Sequence, residues 1–186
     1  MQSRPKPLPL LSRLQELLDY DPETGILRWK IDRGPTRINM VAGYIDKYGY
    51  RQVRVDGVNY RAHRLAWALG TGEPLPTDLD IDHINGDRAD NRLANLRLAT
   101  PSQNHSNGHN HRPSGTGFRG VKWNGNGFQA RVRLNGRHIN RYYSDLLTAA
   151  YAAALMRERY HGEFANHGEH PPALFEALGV PKPDIP

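Results

Sequence analysis

Leu10, Leu11, Leu14, Leu17 and Leu18 recur at helical spacing, which predicts a short amphipathic helix reaching about Asp19. The DPETG stretch (residues 21–25) marks a turn, and ILRWKI after it reads as a strand. In YIDKYGYRQVRVDGVNYRAH apolar and polar positions alternate, and Asp56-Gly57 between two such runs predicts a β-hairpin. RLAWALG returns to helical spacing and is expected to end at Gly70, with GEPLPTD as a loop.

From residue 79 the chain reads LDIDHINGDRADNRLANLRLATPSQNHSN. A short apolar alternation ending in Asp82 and His83 leads into a polar loop, and a second strand-like run, LRLA, follows Asn95. Thr100 suits a helix N-cap, Pro101 the first helical position, and Gln103 completes a capping box, so Asn104 falls in a first helical turn facing the strand pair. The small polar run SNGHNHRPSGTG (residues 106–117) reads as an interdomain linker. Beyond it, FRGVKW, FQARVRL and HINRYY, separated by turns at Asn126-Gly127 and Asn135-Gly136, predict a three-stranded antiparallel sheet. An alanine-rich helix from about Leu147 to Gly162 covers it, and a tail with one apolar patch (Ala173 to Leu178) ends the chain.

With 186 residues, a 38% hydrophobic fraction, 18 glycines and 14 prolines, two small domains fit better than one large core. The expected division is an extension 1–20, a first domain 21–108, a linker 109–115, a second domain 116–166 and a tail 167–186. The absence of cysteine excludes disulfides and Cys-type zinc sites. No apolar run approaches the roughly 18 residues of a membrane span, and prolines interrupt the basic, leucine-containing start, so no signal peptide is read there and a cytoplasmic protein is expected. The net charge is +6. Its distribution says more: from Asn91 to Ser144 there is no Asp or Glu, whereas Glu73, Asp78, Asp80, Asp82, Asp87 and Asp90 crowd just upstream. That asymmetry suggests a metal pocket beside a phosphate track.

One carboxylate, one imidazole and one amide carried by a strand, a loop and a helix suit phosphodiester hydrolysis. A histidine serves as general base, worth on the order of 10² to 10⁴ in rate. A hard divalent ion needs few protein ligands because it keeps waters and binds the phosphate. Asp82 and Asn104 fit as ligands and His83 as base, while Asn95 would fix the loop by hydrogen bonding to its backbone. Mg²⁺ is the expected ion, with Mn²⁺ as the alternative. Asn107 shares the helical face of Asn104 and stays an alternative; His105 points away. His63 reads as a structural histidine, and His105, His109 and His111 as a solvated stretch.

DHINGDRADNRLANLR followed by TPSQN resembles the HNH nucleases, in particular the phage and intron-type homing endonucleases with a ββα-metal site, and DPETGILRWK and YRAHRLAWALGTGEPLP match what lies upstream in them. The resemblance covers roughly residues 20–108 and implies metal ligation by Asp82 and Asn104, general base catalysis by His83 and an orienting role for Asn95. FRGVKW, FQARVRLNGR, the alanine-rich helix and YHGEF resemble an AP2 domain over about residues 114–165. It implies DNA contacts by Arg119, Lys122, Arg131, Arg133 and Arg137; Asn140-Arg141 departs from the usual Leu-Gly at that place. The expected fold is α+β, a ββα-metal module followed by a three-stranded antiparallel sheet with one helix. The expected protein is a monomeric, metal-dependent endonuclease acting on double-stranded DNA, in a bacterial host's cytoplasm if phage-encoded. The rival is a non-catalytic DNA-binding protein with a decayed nuclease module, and RNA cleavage is chemically open.

Overall fold

The structure, a computed structural model, describes residues 6–32, 34–76, 78–108 and 115–185. The chain divides into two compact units, Met1–Pro101 and Ser102–Pro186. Most of the expected linker (residues 109–114), with His109 and His111, lies outside the described residues.

In the first unit, helix α1 (Leu11–Leu17) buries Leu14 and Leu17. It stops short of Asp19: Leu18 is already extended, and β1 (Leu18–Asp21) pairs antiparallel with β2 (Ile26–Trp29). Leu18 satisfies a helical and a strand pattern at once, and the hairpin decides. The turn is built by Asp21, whose carboxylate accepts from Glu23 N and Thr24 Oγ1. Strands β3 (Tyr44–Ile45), β4 (Arg51–Val55) and β5 (Val58–Arg61) form an antiparallel sheet. Its expected tight turn has positive φ at both Asp56 and Gly57.

Helix α2 (Ala62–Thr71) runs through Gly70 and ends at Gly72, with φ of 73°. Gly70 answers a different need, since a Cβ there would lie 3.0 Å from Tyr20 Cε1 and 3.1 Å from Leu93 Cδ1. It permits close packing, and Gly72 supplies the left-handed C-terminal turn. The core joins Leu14, Leu17, Leu18 and Leu27 to Val53, Val55 and Leu65. A smaller cluster of Ala66, Ile81 and Leu96 seats β6 (Asp80–His83) and β7 (Leu96–Ala99). Their antiparallel register sets Asp80 opposite Ala99, Asp82 opposite Arg97 and His83 opposite Leu96. Helix α3 (Pro101–Asn107) starts two residues after β7, at the proline expected to open it.

The second unit is a sheet ordered β10-β9-β8 under one long helix. The strands are β8 (Val121–Trp123), β9 (Phe128–Leu134) and β10 (Arg137–Tyr143), and the helix is α4 (Leu146–His161). Val121, Ala130 and Val132 meet Ala149, Ala150, Ala153 and Met156 across this interface, and the alanines let the helix lie close. Asp145 caps α4 by accepting from Thr148 N at 2.7 Å. The segment beyond residue 166 carries α5 (Pro172–Ala177). Its Phe175 is 1% exposed and stacks on Tyr151 at 5.4 Å between ring centroids. Among the described residues, no helix is long and apolar enough to cross a membrane.

Phe175→Ala should therefore destabilise the second unit by about 3–5 kcal/mol in urea unfolding. Leu178→Ala, at an exposed position in the same segment, should stay within about 0.5 kcal/mol. Equal, small effects of both would show that this segment does not contribute to the core.

Candidate functional site

Asp82 lies in the middle of the β6–β7 ladder and is only 4% exposed. Its cross-strand partner Arg97 donates through Nε (2.9 Å) and Nη2 (2.8 Å) to Oδ2. A charge this deep is held by its forked partner, because burying a carboxylate alone would cost several kcal/mol.

His83 ends β6 and is buried. Its carbonyl accepts from Gly86 N at 2.9 Å, so the chain turns immediately after the imidazole. Nε2 lies 3.2 Å from Asn91 Oδ1, and Asn91 Nδ2 donates to Ala89 O. With the Asn91 amide nitrogen so occupied, its oxygen accepts from His83 Nε2–H, and the imidazole lone pair sits on Nδ1. Burial pushes the His83 pKa below the ordinary histidine value, against the opposing pull of the Asn91 hydrogen bond and the carboxylates of Asp82, Asp87 and Asp90. The ring is thus a neutral base at neutral pH. His63, from the start of α2, packs edge-on to it at 5.0 Å between centroids. Complete burial, and then the neighbouring His83, Arg61 and Arg64, keep His63 neutral as well. Tyr50 touches both rings, at 5.6 Å from His63 and 6.3 Å from His83.

Asn95 closes the loop between the strands. Its Oδ1 accepts from Asn85 N at 3.0 Å, and its Nδ2 donates to Asn85 Oδ1 (3.0 Å) and to Asp90 O (2.8 Å). The backbone adds Ile84 N to Asn95 O at 2.9 Å. Asn95 therefore grips both ends of the loop that leaves His83, through the kind of backbone contact its sequence position suggested.

Two of the acids in the loop are engaged in its structure. Asp90 takes a bidentate Arg92 (2.8 and 2.6 Å) and Asn85 Nδ2 (2.8 Å), and these partners, Arg92 foremost, hold its carboxyl down to about 2. Asp87 accepts from Ala89 N. Among the described residues, no group of three or more His, Asp or Glu could hold a metal. Asp80 and Asp82 are the two members of the acidic crowd that lie in the β6–β7 ladder. In the second unit, α3 carries Asn104 half-buried, His105 exposed and Asn107 buried. The C-terminal end of α3 is capped from its own unit: Arg119 Nη2 donates to Ser106 O and Gly108 O, and Asn166 Nδ2 to Asn107 O.

The basic sheet face is only partly as anticipated. Arg131 and Arg133 are exposed, and register places Asn140 and His138 beside them; Lys122, paired with Gln129, shares the face. Arg137 pairs with Leu134 and Arg141 with Ala130, which puts both on the side of the sheet that packs α4. Arg119 is occupied with the carbonyls of α3, and its burial lowers the guanidinium to about 10. Sequence reading also missed Asn91, Arg97 and Tyr50, whose partners become apparent only once β6, β7 and the β3–β4 turn are in place.

A family model described as HNH endonuclease matches residues 60–106, the segment that spans α2, β6, β7 and most of α3. The chain is 33% identical over 139 residues to an uncharacterized HNH endonuclease, L560, of Acanthamoeba polyphaga mimivirus, covering 73% of this chain and 70% of that protein. It is 32% identical over 107 residues to Protein 3.8 of Escherichia phage T7, covering 56% of this chain and 88% of that one. A solved structure of the HNH homing endonuclease I-HmuI aligns over 49% of this chain and about half (51%) of its own, with 23% identity and a TM-score of 0.37, too slight a likeness to carry weight. A family match over the segment that holds Asp82, His83 and Asn95, together with a relative matched over most of both chains, identifies this chain as a member of the HNH endonuclease family and a nuclease.

Proposed function

We propose that this nuclease is a metal-dependent DNA endonuclease of homing type, aimed by a basic, AP2-like sheet in its second unit. The observation that carries the reading is the pairing of a buried, neutral His83 with the ladder carboxylate Asp82 immediately before it. In this reading His83 Nδ1 takes a proton from water, the water oxygen attacks phosphorus, and the 3′ oxygen departs with the bond it shared with that phosphorus. Asp82 and Asn104 would hold a divalent ion, Mg²⁺ before Mn²⁺. When bound, the ion supplies Lewis acidity to the phosphoryl and leaving oxygens. The donor chemistry fits: one carboxylate and one amide oxygen suit a hard cation that keeps water and substrate oxygens in its shell. Support for Asn104 is its place in a helix that follows directly from β7, the strand paired with that of Asp82. Asn95 positions rather than reacts, because its side chain is spent on the loop.

Arg131, Arg133 and Lys122 are the groups proposed to meet DNA, since they share an exposed face. An antiparallel sheet enters the major groove, where arginine reads guanine edges or holds phosphates. Arg137, at the strand end, and Arg119 are the further DNA contacts proposed. A monomer is the proposed form, acting in the cytoplasm of a bacterial host if the gene is phage-encoded.

Supercoiled plasmid with Mg²⁺ should be nicked by wild type and spared with EDTA. His83→Ala should be slower by about 10²- to 10⁴-fold. Full activity of His83→Ala, or an intact plasmid with every divalent ion tried, would remove the support for this mechanism. Because the His83 pKa is lowered, its base form persists at neutrality and is lost only as pH falls. The nicking rate should be flat around pH 7 and decline on acidification with a midpoint under the ordinary value near 6.5; a midpoint above it would contradict the assignment.

Arg131→Ala combined with Arg133→Ala should weaken duplex binding and reduce the slope of log affinity against log salt by about two. An unchanged slope would rule out this face as the contact surface.

A further inference from the structure

Tyr50 collects two arginines beside the candidate base. The guanidinium carbon of Arg61, the last residue of β5, lies 4.2 Å from the centre of the Tyr50 ring, and that of Arg88, from the loop after β6, lies 4.9 Å from it. The same ring contacts the His83 imidazole. Tyr50 is held in place by a tight turn: Asp46 Oδ1 accepts from Tyr48 N and Tyr50 N, Asp46 N donates to Tyr50 O, and Gly49 N to Asp46 O. Arg88 is fixed to that turn by Nη1, which donates to Tyr48 O at 2.9 Å.

Two cations stacked against one ring repel each other. Among the described residues, neither guanidinium is ion-paired with a carboxylate. Asp46, which feels Arg61 electrostatically, commits its oxygens to Tyr48 N, Tyr50 N and Gln52 Nε2. Stacking on tyrosine repays part of the repulsion and sets each planar fork in a fixed orientation. Such a pair is a preorganised seat for an oxyanion, and its place next to His83 says which one.

We propose that Arg61 and Arg88, oriented by Tyr50, seat a backbone phosphate of the substrate strand next to the bond that is cut. The inference rests on the DNA endonuclease reading above and extends it to residues that anchor substrate rather than react. It also gives the loop after β6 a task, since Arg88 couples that loop to the Tyr48–Tyr50 turn.

The test is binding of a defined duplex oligonucleotide in EDTA, followed by anisotropy over a salt series, with cleavage measured in parallel. Arg61→Gln and Arg88→Gln should each lower the salt slope by about one and raise KM several-fold, in proteins that melt with wild type. Arg61→Lys and Arg88→Lys should retain the slope yet cleave more slowly at saturating DNA, because an ammonium neither stacks flat nor forks. Unchanged slopes in both Gln variants would overturn the proposal. Should a Gln variant melt early, the matching Lys variant decides, and wild-type kcat there would overturn it too. His83→Ala in the same experiment separates the two levels: it should lose cleavage while keeping the wild-type slope. Retained cleavage in His83→Ala refutes the catalytic reading, whereas the arginine slopes judge the phosphate seat by themselves.

Discussion

The first unit depends on a loop being closed in one way. His83 is the last residue of β6, and nothing in a two-stranded ladder determines where the chain goes next. Asn95 does so with one side chain, accepting from Asn85 N and donating to Asn85 Oδ1 and Asp90 O. Each bond contributes about 1 kcal/mol net, but leaving these partly buried partners unmade would cost about 1–3 kcal/mol apiece. The asymmetry makes the closed loop the only economical arrangement. It also brings Asn91 to His83 Nε2, which determines the side of the imidazole that carries the lone pair.

Burial then divides the work among charges. Asp82 and Arg97 pair inside the ladder, and the guanidinium offsets the cost of burying the carboxylate there. At His83 burial outweighs the Asn91 hydrogen bond and the nearby carboxylates, lowers the pKa and keeps the ring neutral. A carboxylate paired with arginine and a neutral imidazole thus stand at adjacent residues of one strand. Asp90, close in sequence, is withdrawn by Arg92 and serves the loop instead. Of the acids clustered upstream of Asn91, Asp87 and Asp90 thus build the loop.

Much of this was legible in the chain because it is local. Asp56-Gly57 can hardly be anything but a tight turn, Pro101 opens α3, and the alternation in FQARVRL separates Arg131 and Arg133 from the buried Ala130 and Val132. Asn95 was readable because its partners are in the loop it closes. What escaped depended on distant pairing. Gly70 looks like a helix stop until Tyr20 and Leu93 are brought against it. Leu18 fits two periodicities, and pairing with Trp29 selects the strand. Arg119 and Arg131 look alike in a basic stretch, yet one is spent on the α3 carbonyls and the other faces outward. Tyr50, Arg61 and Arg88 belong to three separate segments, and only the fold stacks them.

We propose that Asp82 is a metal ligand as well as a ladder residue. Titrating the full chain with Mn²⁺ and following the free ion by electron paramagnetic resonance tests it without relying on cleavage. Wild type should bind Mn²⁺ saturably, Asp82→Ala should lose that binding and Asn104→Ala weaken it, while Arg131→Ala binds as wild type does. Undiminished Mn²⁺ binding by Asp82→Ala would contradict it.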